Sequence, residues 1–282
     1  QTDRCPLNNH CNALPSLIAL DLDGTLLRTD KTVSPRTLAA LEACKQAGIA
    51  LCIASARGAS SVAMIAPPIF KDCLWITHNG ALAVCGQEIL HFDPIPHSAL
   101  EACVKFAYRF DPPLLMSAEI DGRPSVSRDV AALWGVGFHT VDFRSLGAAQ
   151  VAKALIQWPA EVPTSELAGS LPDGVEILMD RDGYAHVQNR GVSKHHALGL
   201  CLERMSIPWS AVTAFGDDHT DAGMLHLAGI GVAMGNAVPA AHTAANRTAA
   251  TNDQDGVARI LEELLDGMHH SAPSTGAVAP IA

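Results

Sequence analysis

Cations are scarce in this chain of 282 residues: 19 Lys and Arg stand against 29 Asp and Glu, a formal charge of −10. That balance argues against a surface built to grip nucleic acid or an acidic membrane. It leaves room for a small anionic ligand, because a few local cations and a metal set the sign inside a pocket. No apolar stretch is long and unbroken enough to span a bilayer. Gln1 to Ser16 is polar and holds no apolar leader core, so no secretory signal is expected. The eight cysteines, at 5, 11, 44, 52, 73, 85, 103 and 201, form no CxxC pair. Several lie inside apolar runs, such as Cys52 in IALCIAS, and read as reduced core thiols of a cytoplasmic protein. No GxGxxG opens a helix after a strand and no Walker A sequence occurs, which sets dinucleotide and P-loop chemistry aside. No fixed-period repeat is found. What is present is a globular composition, 48% hydrophobic and 17% charged, in a chain long enough for one large domain or two modest ones.

The order of elements carries the fold class. Residues 16–20 form a short apolar run that ends abruptly in Asp21, as a buried parallel strand does when it delivers polar groups at its carboxyl end. Ser34-Pro35 marks the start of a helix that stops at Gly48. IALCIAS is a second buried strand ending at Ser55, Arg57 to Ile65 reads as a helix, and LWIT at 74–77 is a third strand. This alternation predicts an α/β fold with a doubly wound, mostly parallel sheet. The middle breaks the pattern. Residues 81–92 read as a hairpin about Gly86-Gln87, HSALEACVKFAYRF as an amphipathic helix, and LLMSAEIDGRPSV as two strands turning at Asp121-Gly122. VAKALIQW and VEILMD add strands with a short helix between them. From 192 onward, helices alternate again with strands in AVTAFGDD and GIGVAM. The expected division is a catalytic core at 16–80 and 187–265, an inserted α+β cap at 81–186, and disordered tails at 1–15 and 266–282.

Four separated motifs fall at predicted strand ends or helix starts. In Asp21-Leu22-Asp23-Gly24-Thr25, two carboxylates two residues apart leave a strand end together. An acidic turn explains them blandly. The chemical reading makes Asp21 a nucleophile on phosphorus and Asp23 the acid that protonates the leaving oxygen and later deprotonates water, while Gly24 lets the backbone turn beside the phosphate. Ser55 alone is an ordinary helix cap; in a phosphate site its hydroxyl and the following backbone at Ala56 would hold a phosphoryl oxygen. Lys194, in Gly191-Val192-Ser193-Lys194, would be the fixed cation that such a site requires, although most lysines are merely solvated. In Gly216-Asp217-Asp218-His219-Thr220-Asp221, three carboxylates within five residues either cap a helix or supply hard oxygen ligands for Mg²⁺. The metal set would be Asp21, Asp23 through its backbone carbonyl, Asp217 and Asp221. His219 reads as a surface histidine.

The order DLDGT, Ser at a strand end, GVSK, then GDDHTD resembles the four motifs of haloacid dehalogenase phosphatases. His78-Asn79-Gly80-Ala81, Ala233-Met234-Gly235-Asn236-Ala237 and Asn252-Asp253-Gln254-Asp255-Gly256-Val257 resemble its Cof-type branch. The resemblance spans about Ser16 to Leu265, and that branch also carries its cap between the second and third motifs. Three departures stand out. Ser55-Ala56-Arg57 replaces a more usual Thr-Gly-Arg, Thr220 replaces an Asn and lacks its two amide donors, and His195-His196 follow the lysine in place of a small residue and its neighbour. What the resemblance implies is a Mg²⁺-dependent phosphatase, with Asp21, Asp23 and Lys194 catalytic and Ser55, Ala56, Lys194 and Thr220 on the phosphate.

The expected substrate is a small phosphorylated metabolite: a sugar phosphate, a nucleotide or a phosphorylated cofactor. A phosphomutase on the same fold is the nearest rival. A receiver-type phosphorylation switch shares the acceptor Asp, the hydroxyl and the Lys, but needs neither Asp23 nor an insertion of about a hundred residues. A catalytically lapsed binding protein is hard to reconcile with Asp21, Asp23, Lys194 and Asp217 all present.

Overall fold

The computed structural model describes residues 14–134, 137–147, 149–180 and 182–269. In chain order the elements are β1 (Leu17–Leu20), α1 (Pro35–Gln46), β2 (Ala50–Ala54), α2 (Ala59–Ile65), β3 (Leu74–Thr77), β4 (Leu82–Cys85) and β5 (Glu88–Phe92). Then come α3 (His97–Ala107), β6 (Met116–Ile120), β7 (Arg123–Val126), α4 (Ala131–Trp134), β8 (His139–Thr140), β9 (Ala154–Gln157), α5 (Ser165–Ala168), β10 (Val175–Met179) and β11 (Tyr184–Asn189). The chain closes with α6 (Lys194–Met205), β12 (Val212–Gly216), α7 (Ala222–Leu227), β13 (Ile230–Ala233), α8 (Pro239–Ala244), β14 (Arg247–Thr248) and α9 (Gly256–His269).

The main sheet has the order β14-β13-β12-β1-β2-β3-β4-β5, parallel from β14 to β3. Its central strand β1 is buried along its whole length, which a strand can be only when both faces are covered. Ile18 and Leu20 pack into one apolar layer with Leu41 of α1 and Leu261 of α9, whereas Leu17 and Ala19 pack into the other with Leu198 of α6 and Leu225 of α7. The period-two alternation of side chains therefore serves two cores at once. Register places Leu20 beside both Ile53 and Phe215. The carboxyl ends of β1, β2 and β12 thus lie side by side, with Asp21, Ser55 and Asp217 in the chain just beyond them. Among the described residues no helix is long and apolar enough to cross a membrane.

The second sheet, β10-β11-β9-β6-β7-β8, is antiparallel apart from the β7–β8 pair. It buries its own apolar set under α3, including Phe106 stacked on Trp158 with ring centroids 4.8 Å apart. The insertion is therefore α+β with a core of its own.

Its boundaries differ from those expected. The hairpin read at 81–92 exists, but it extends the main sheet: β4 pairs with β3 in continuous antiparallel register from Thr77↔Leu82 to Leu74↔Cys85. The tight turn at His78-Asn79-Gly80 folds β4 straight back onto β3. The inserted sheet starts beyond Phe92, and β11 keeps the chain in it through Asn189, not 186. The helix expected from Arg57 begins at Ala59, capped at Gly58. At the end of the chain, α9 continues to His269, past the expected limit at 265. Residues 1–13 and 270–282 of the expected tails lie outside the described residues. The described cysteines are free thiols; Cys44, Cys52, Cys103 and Cys201 are buried, while Cys85 is exposed and no core thiol.

Candidate active site

Lys194 is the hub. It is the first residue of α6, whose amino end is capped by the Ser193 hydroxyl, and its side chain is 2% exposed. Its Nζ donates to Asp21 Oδ1 at 2.6 Å and to Asp221 Oδ1 at 2.7 Å. Asp221 is fully buried, and its Oδ2 accepts the backbone N–H groups of Asp217 and Asp218, each at 2.9 Å. Both oxygens of Asp221 are therefore occupied in shaping the loop and holding the ammonium. Removing Lys194 from this buried array would cost about 3–5 kcal/mol, because two carboxylates would be left without their cation, whereas removing one carboxylate leaves the ammonium its other partner.

Asp21, Asp217 and Asp221 each bring a carboxylate oxygen within 4.8 Å of the others. Burial, only partly opposed by Lys194, raises the Asp21 carboxyl well above the usual range, and the charges of Asp221 and Asp217 push the same way. Burial and the charge of Asp221 push Asp217 up to about 6. Lys194 is held above the usual amine range, since its two carboxylates outweigh its burial. Three carboxylates about one ammonium leave excess negative charge, and a divalent cation would relieve it. The donor set fits a hard cation. Each carboxylate oxygen has two lone pairs, so Asp21 Oδ1 and Asp221 Oδ1 can each take a cation beside their bond to Lys194. Asp217 keeps an oxygen clear of the 2.9 Å bond from the Thr25 hydroxyl to its Oδ1, and Asp21 Oδ2 stays clear of Lys194.

Asp23 points elsewhere. Its carboxylate takes a two-pronged pairing from Arg57, at 2.5 and 2.8 Å, and a third bond from Lys31 at 2.8 Å. Burial works to raise its pKa, but the bonds and charges of these two cations win and hold it at about 2. With its side chain committed, the backbone carbonyl is what Asp23 would bring to a metal.

The remaining motifs frame these groups. Ser55 is buried and its hydroxyl accepts the Arg57 N–H at 3.1 Å. The Ser55 and Arg57 carbonyls accept the N–H groups of Asn79 and His78, which ties the second motif to the β3–β4 turn. That turn holds three successive residues at positive φ, His78 (54°), Asn79 (61°) and Gly80 (111°). A Cβ on Gly80 would run into the Ser193 carbonyl, so glycine is what lets the turn seat against the start of α6. A Cβ on Gly24 would likewise strike the Asp217 carboxylate. Asn236 Nδ2 holds the Gly24 carbonyl at 2.8 Å and Asn252 Nδ2 holds the Leu27 carbonyl at 2.9 Å, which gives the two stretches near the end of the chain a mechanical purpose.

Of the residues expected from sequence, Asp21, Lys194, Asp217 and Asp221 meet directly, and Ser55 and Ala56 lie at the neighbouring strand end. Thr220 sits half-buried in the turn His219–Asp221 and joins none of these bonds. His219 is exposed, as read. Arg57 and Lys31, which clamp Asp23, and Thr25, which holds Asp217, had no assigned part; their places beside the motifs were the signal available. Lys153 and Glu119 of the insertion also reach this end of the sheet, and nothing in their local sequence announces it. Glu119 accepts the Ser60 N–H and hydroxyl at 2.9 and 2.6 Å, and Lys153 Nζ donates to the Ala56 carbonyl at 2.7 Å.

Comparison with known proteins agrees with this geometry. The family model of haloacid dehalogenase-like hydrolases matches residues 18–122 and 159–261. The chain is 31% identical over 264 residues to the 5-amino-6-(5-phospho-D-ribitylamino)uracil phosphatase YitU of Bacillus subtilis, covering 88% of this chain and 97% of that one. It is 28% identical over 279 residues to the pyridoxal phosphate phosphatase YbhA of Escherichia coli, covering 87% and 97%. Among solved structures, a haloacid dehalogenase-like hydrolase from Bacteroides thetaiotaomicron superposes with a TM-score of 0.82 at 26% identity, covering 89% of this chain and 99% of that one. A sugar phosphatase of subclass IIB superposes with a TM-score of 0.76 at 25% identity, covering 88% and 98%. With the motifs in order on adjacent strand ends and the family model matched on both sides of the insertion, this chain belongs to the haloacid dehalogenase-like hydrolases and is a phosphoric monoester hydrolase.

Proposed function

We propose that this protein hydrolyses a small phosphate monoester, a sugar phosphate, nucleotide or phosphorylated cofactor, in two steps through an aspartyl-phosphate on Asp21, with Mg²⁺ as its cofactor. The observation that carries the reading is the Lys194 ammonium bridging Asp21 and Asp221 with Asp217 alongside. That array gathers an anion-binding cation, a carboxylate nucleophile and oxygen ligands at one strand end. Asp21 offers its free oxygen to phosphorus, and the ester oxygen leaves with the alcohol. Lys194 offsets charge on the attacking carboxylate and on the phosphoryl oxygens, with Ser55 and the backbone at Ala56 as further donors. Thr220, in the turn that leads into Asp221, is a further phosphate donor on this reading. Asp21, Asp217, Asp221 and the Asp23 carbonyl would hold the metal, and Asp221 also orients Lys194 and the loop. When bound, Mg²⁺ supplies Lewis-acid neutralisation of the phosphoryl charge.

Asp23 is the acid and base. Arg57 and Lys31 keep it ionised in the free protein, the state needed to take a proton from the water that cleaves the acyl-phosphate. Donating a proton to the leaving alcohol in the first step requires those cations to release it. The inserted domain, on this reading, closes over the strand ends as a cap. Glu119 on Ser60 and Lys153 on Ala56 are contacts of that closed form. The test is phosphate release from a panel of esters with Mg²⁺. Turnover by wild type that is lost in Asp21→Asn and in excess EDTA is expected; full activity in EDTA, or wild-type turnover by folded Asp21→Asn, overturns the proposal.

A further inference from the structure

We propose that Lys153, brought to the strand ends by the inserted domain, is a specificity-determining cation that binds an anionic oxygen on the leaving-group side of the substrate. The preferred substrates are then phosphate monoesters whose alcohol carries a carboxylate, a second phosphate or a similar anion near the ester. The inference rests on the phosphatase reading above and narrows its substrate class.

Lys153 immediately precedes β9, and it is 7% exposed. Its Nζ donates to the Ala56 carbonyl at 2.7 Å and lies 3.0 Å from His186 Nδ1. His186 Nε2 in turn lies 2.8 Å from Asp180 Oδ2. Both direct partners are neutral: a carbonyl oxygen and an imidazole nitrogen. Among the described residues no carboxylate touches the ammonium, and Asp180 is a full imidazole ring away. An ammonium has three hydrogens, and two are accounted for. Buried charges are otherwise paired, so a buried lysine with neutral partners and a donor to spare is a site prepared for an anion. Burial, with the nearby charge of Lys194, brings its amine down to about 7, and an arriving anion would restore the charged form.

Position separates this cation from the one at the nucleophile. Lys194 belongs to the core and is charge-paired with Asp21 and Asp221. Lys153 comes from the insertion, touches the second motif at Ala56, and lies near enough to His78 for its charge to depress that imidazole. The core side of the site supplies groups for the phosphoryl moiety that every substrate shares. A cation entering from the opposite domain meets the remainder of the molecule, where substrates differ.

Matched ester pairs test this with the full-length protein in Mg²⁺. Phosphoglycolate is compared with ethyl phosphate, and glucose 1,6-bisphosphate with glucose 6-phosphate. Wild type should favour the anionic member of at least one pair in kcat/KM. In Lys153→Met that preference should fall by about tenfold or more, through KM. Lys153→Gln keeps a donor for the Ala56 carbonyl without the charge, and it is read in the same way if the Met variant does not fold. Equal losses on both members of each pair would show a cation serving the shared phosphoryl group or merely latching the domains, and would overturn the assignment while leaving the phosphatase reading intact. No wild-type preference for either anionic ester also overturns it. Absence of wild-type turnover on every ester takes down the phosphatase reading itself.

Discussion

At the scale of single residues, the site concentrates like charge. Asp21, Asp217 and Asp221 surround one ammonium, and burial leaves Asp21 with a raised pKa. A carboxyl whose folded pKa lies above its unfolded value loses stability for the fold as pH rises past the unfolded value. Burial of the Asp21 carboxylate therefore works against the fold in the metal-free protein. Asp21→Asn should abolish turnover, by about 10⁴-fold or more, yet melt no lower than wild type in EDTA. Kinetic assay beside thermal unfolding checks both halves; a variant that retains turnover, or one that unfolds earlier, contradicts the account. Asp23→Asn tests a different function. Loss of a proton donor should slow esters of poor leaving alcohols far more than p-nitrophenyl phosphate, whose leaving group needs little protonation, and equal losses on both would remove Asp23 from the acid role. The pairing of Asp23 with Arg57 and Lys31 was not legible in the chain. Arg57 adjoins a motif, but which carboxylate a guanidinium meets depends on how two strand ends are juxtaposed, and Lys31 stands in a loop.

At the scale of elements, the β3–β4 turn shows how local chemistry and long-range packing divide the work. Asn79-Gly80 is a turn signal, and the hairpin that follows was readable from its alternation and from Gly86. Its partner was not. Hairpin chemistry sets the pairing of β4 with β5 but leaves open which sheet the pair joins, and β4 lies antiparallel on β3 at the edge of the main sheet. The turn then packs on the start of α6, where Gly80 clears the Ser193 carbonyl. Gly80→Ala adds a methyl group at φ 111°, against backbone. It should cost about 1–3 kcal/mol of stability and displace Lys194, lowering turnover at the same time. Gly86→Ala, also at positive φ but with open space around its Cβ position, should cost less and leave turnover alone. Denaturant titration and kcat on the two variants make the comparison; equal effects at both positions would show that strain, and not the contact with α6, is what matters at Gly80.

At the scale of the whole molecule, the inserted sheet touches the strand ends of the main sheet through Glu119 and Lys153, and ligands should couple to folding. Mg²⁺ should raise the melting temperature of wild type, by the equivalent of about 2.7 kcal/mol at a hundredfold excess over Kd, and raise that of Asp217→Asn much less. Ca²⁺ should inhibit turnover, because a larger ion with more ligands can take both oxygens of Asp21 and leave no free nucleophile. An unchanged melting temperature with Mg²⁺ would count against the carboxylate set as a metal site. Acid should weaken the fold through His78, which is buried under the insertion with Nε2 3.9 Å from Glu119 and, among the described residues, no hydrogen-bond partner for that nitrogen. Burial, aided by the charge of Lys153, holds its pKa down to about 3. Between about pH 6.5 and that value the unfolded chain takes up a proton that the folded one refuses. Stability should thus fall on acidification by up to about 1.4 kcal/mol per pH unit from this group. His78→Gln should flatten that slope, as followed by unfolding across the range; parallel slopes in both proteins would place the acid sensitivity elsewhere.

The sequence by itself determined the doubly wound core, the presence of an α+β insertion, and the placing of Asp21, Ser55 and Asp217 just beyond adjacent strand ends with Lys194 at a helix start. Each depends on short-range rules: apolar runs that stop at a polar residue, caps, and motif order along the chain. Only the tertiary structure decided that Asp221 holds Lys194 through one oxygen and the loop through the other, that Arg57 and Lys31 own Asp23, and that Lys153 crosses from the insertion to Ala56. Those outcomes are contests between distant groups for the same buried oxygens. Partners 27 residues apart, as Lys194 and Asp221 are, or 97 apart, as Lys153 and Ala56 are, leave no trace in local pattern. Which pairs form is settled by where the sheet edges and domain faces bring them, under the penalty for leaving any buried charge or polar atom without a partner.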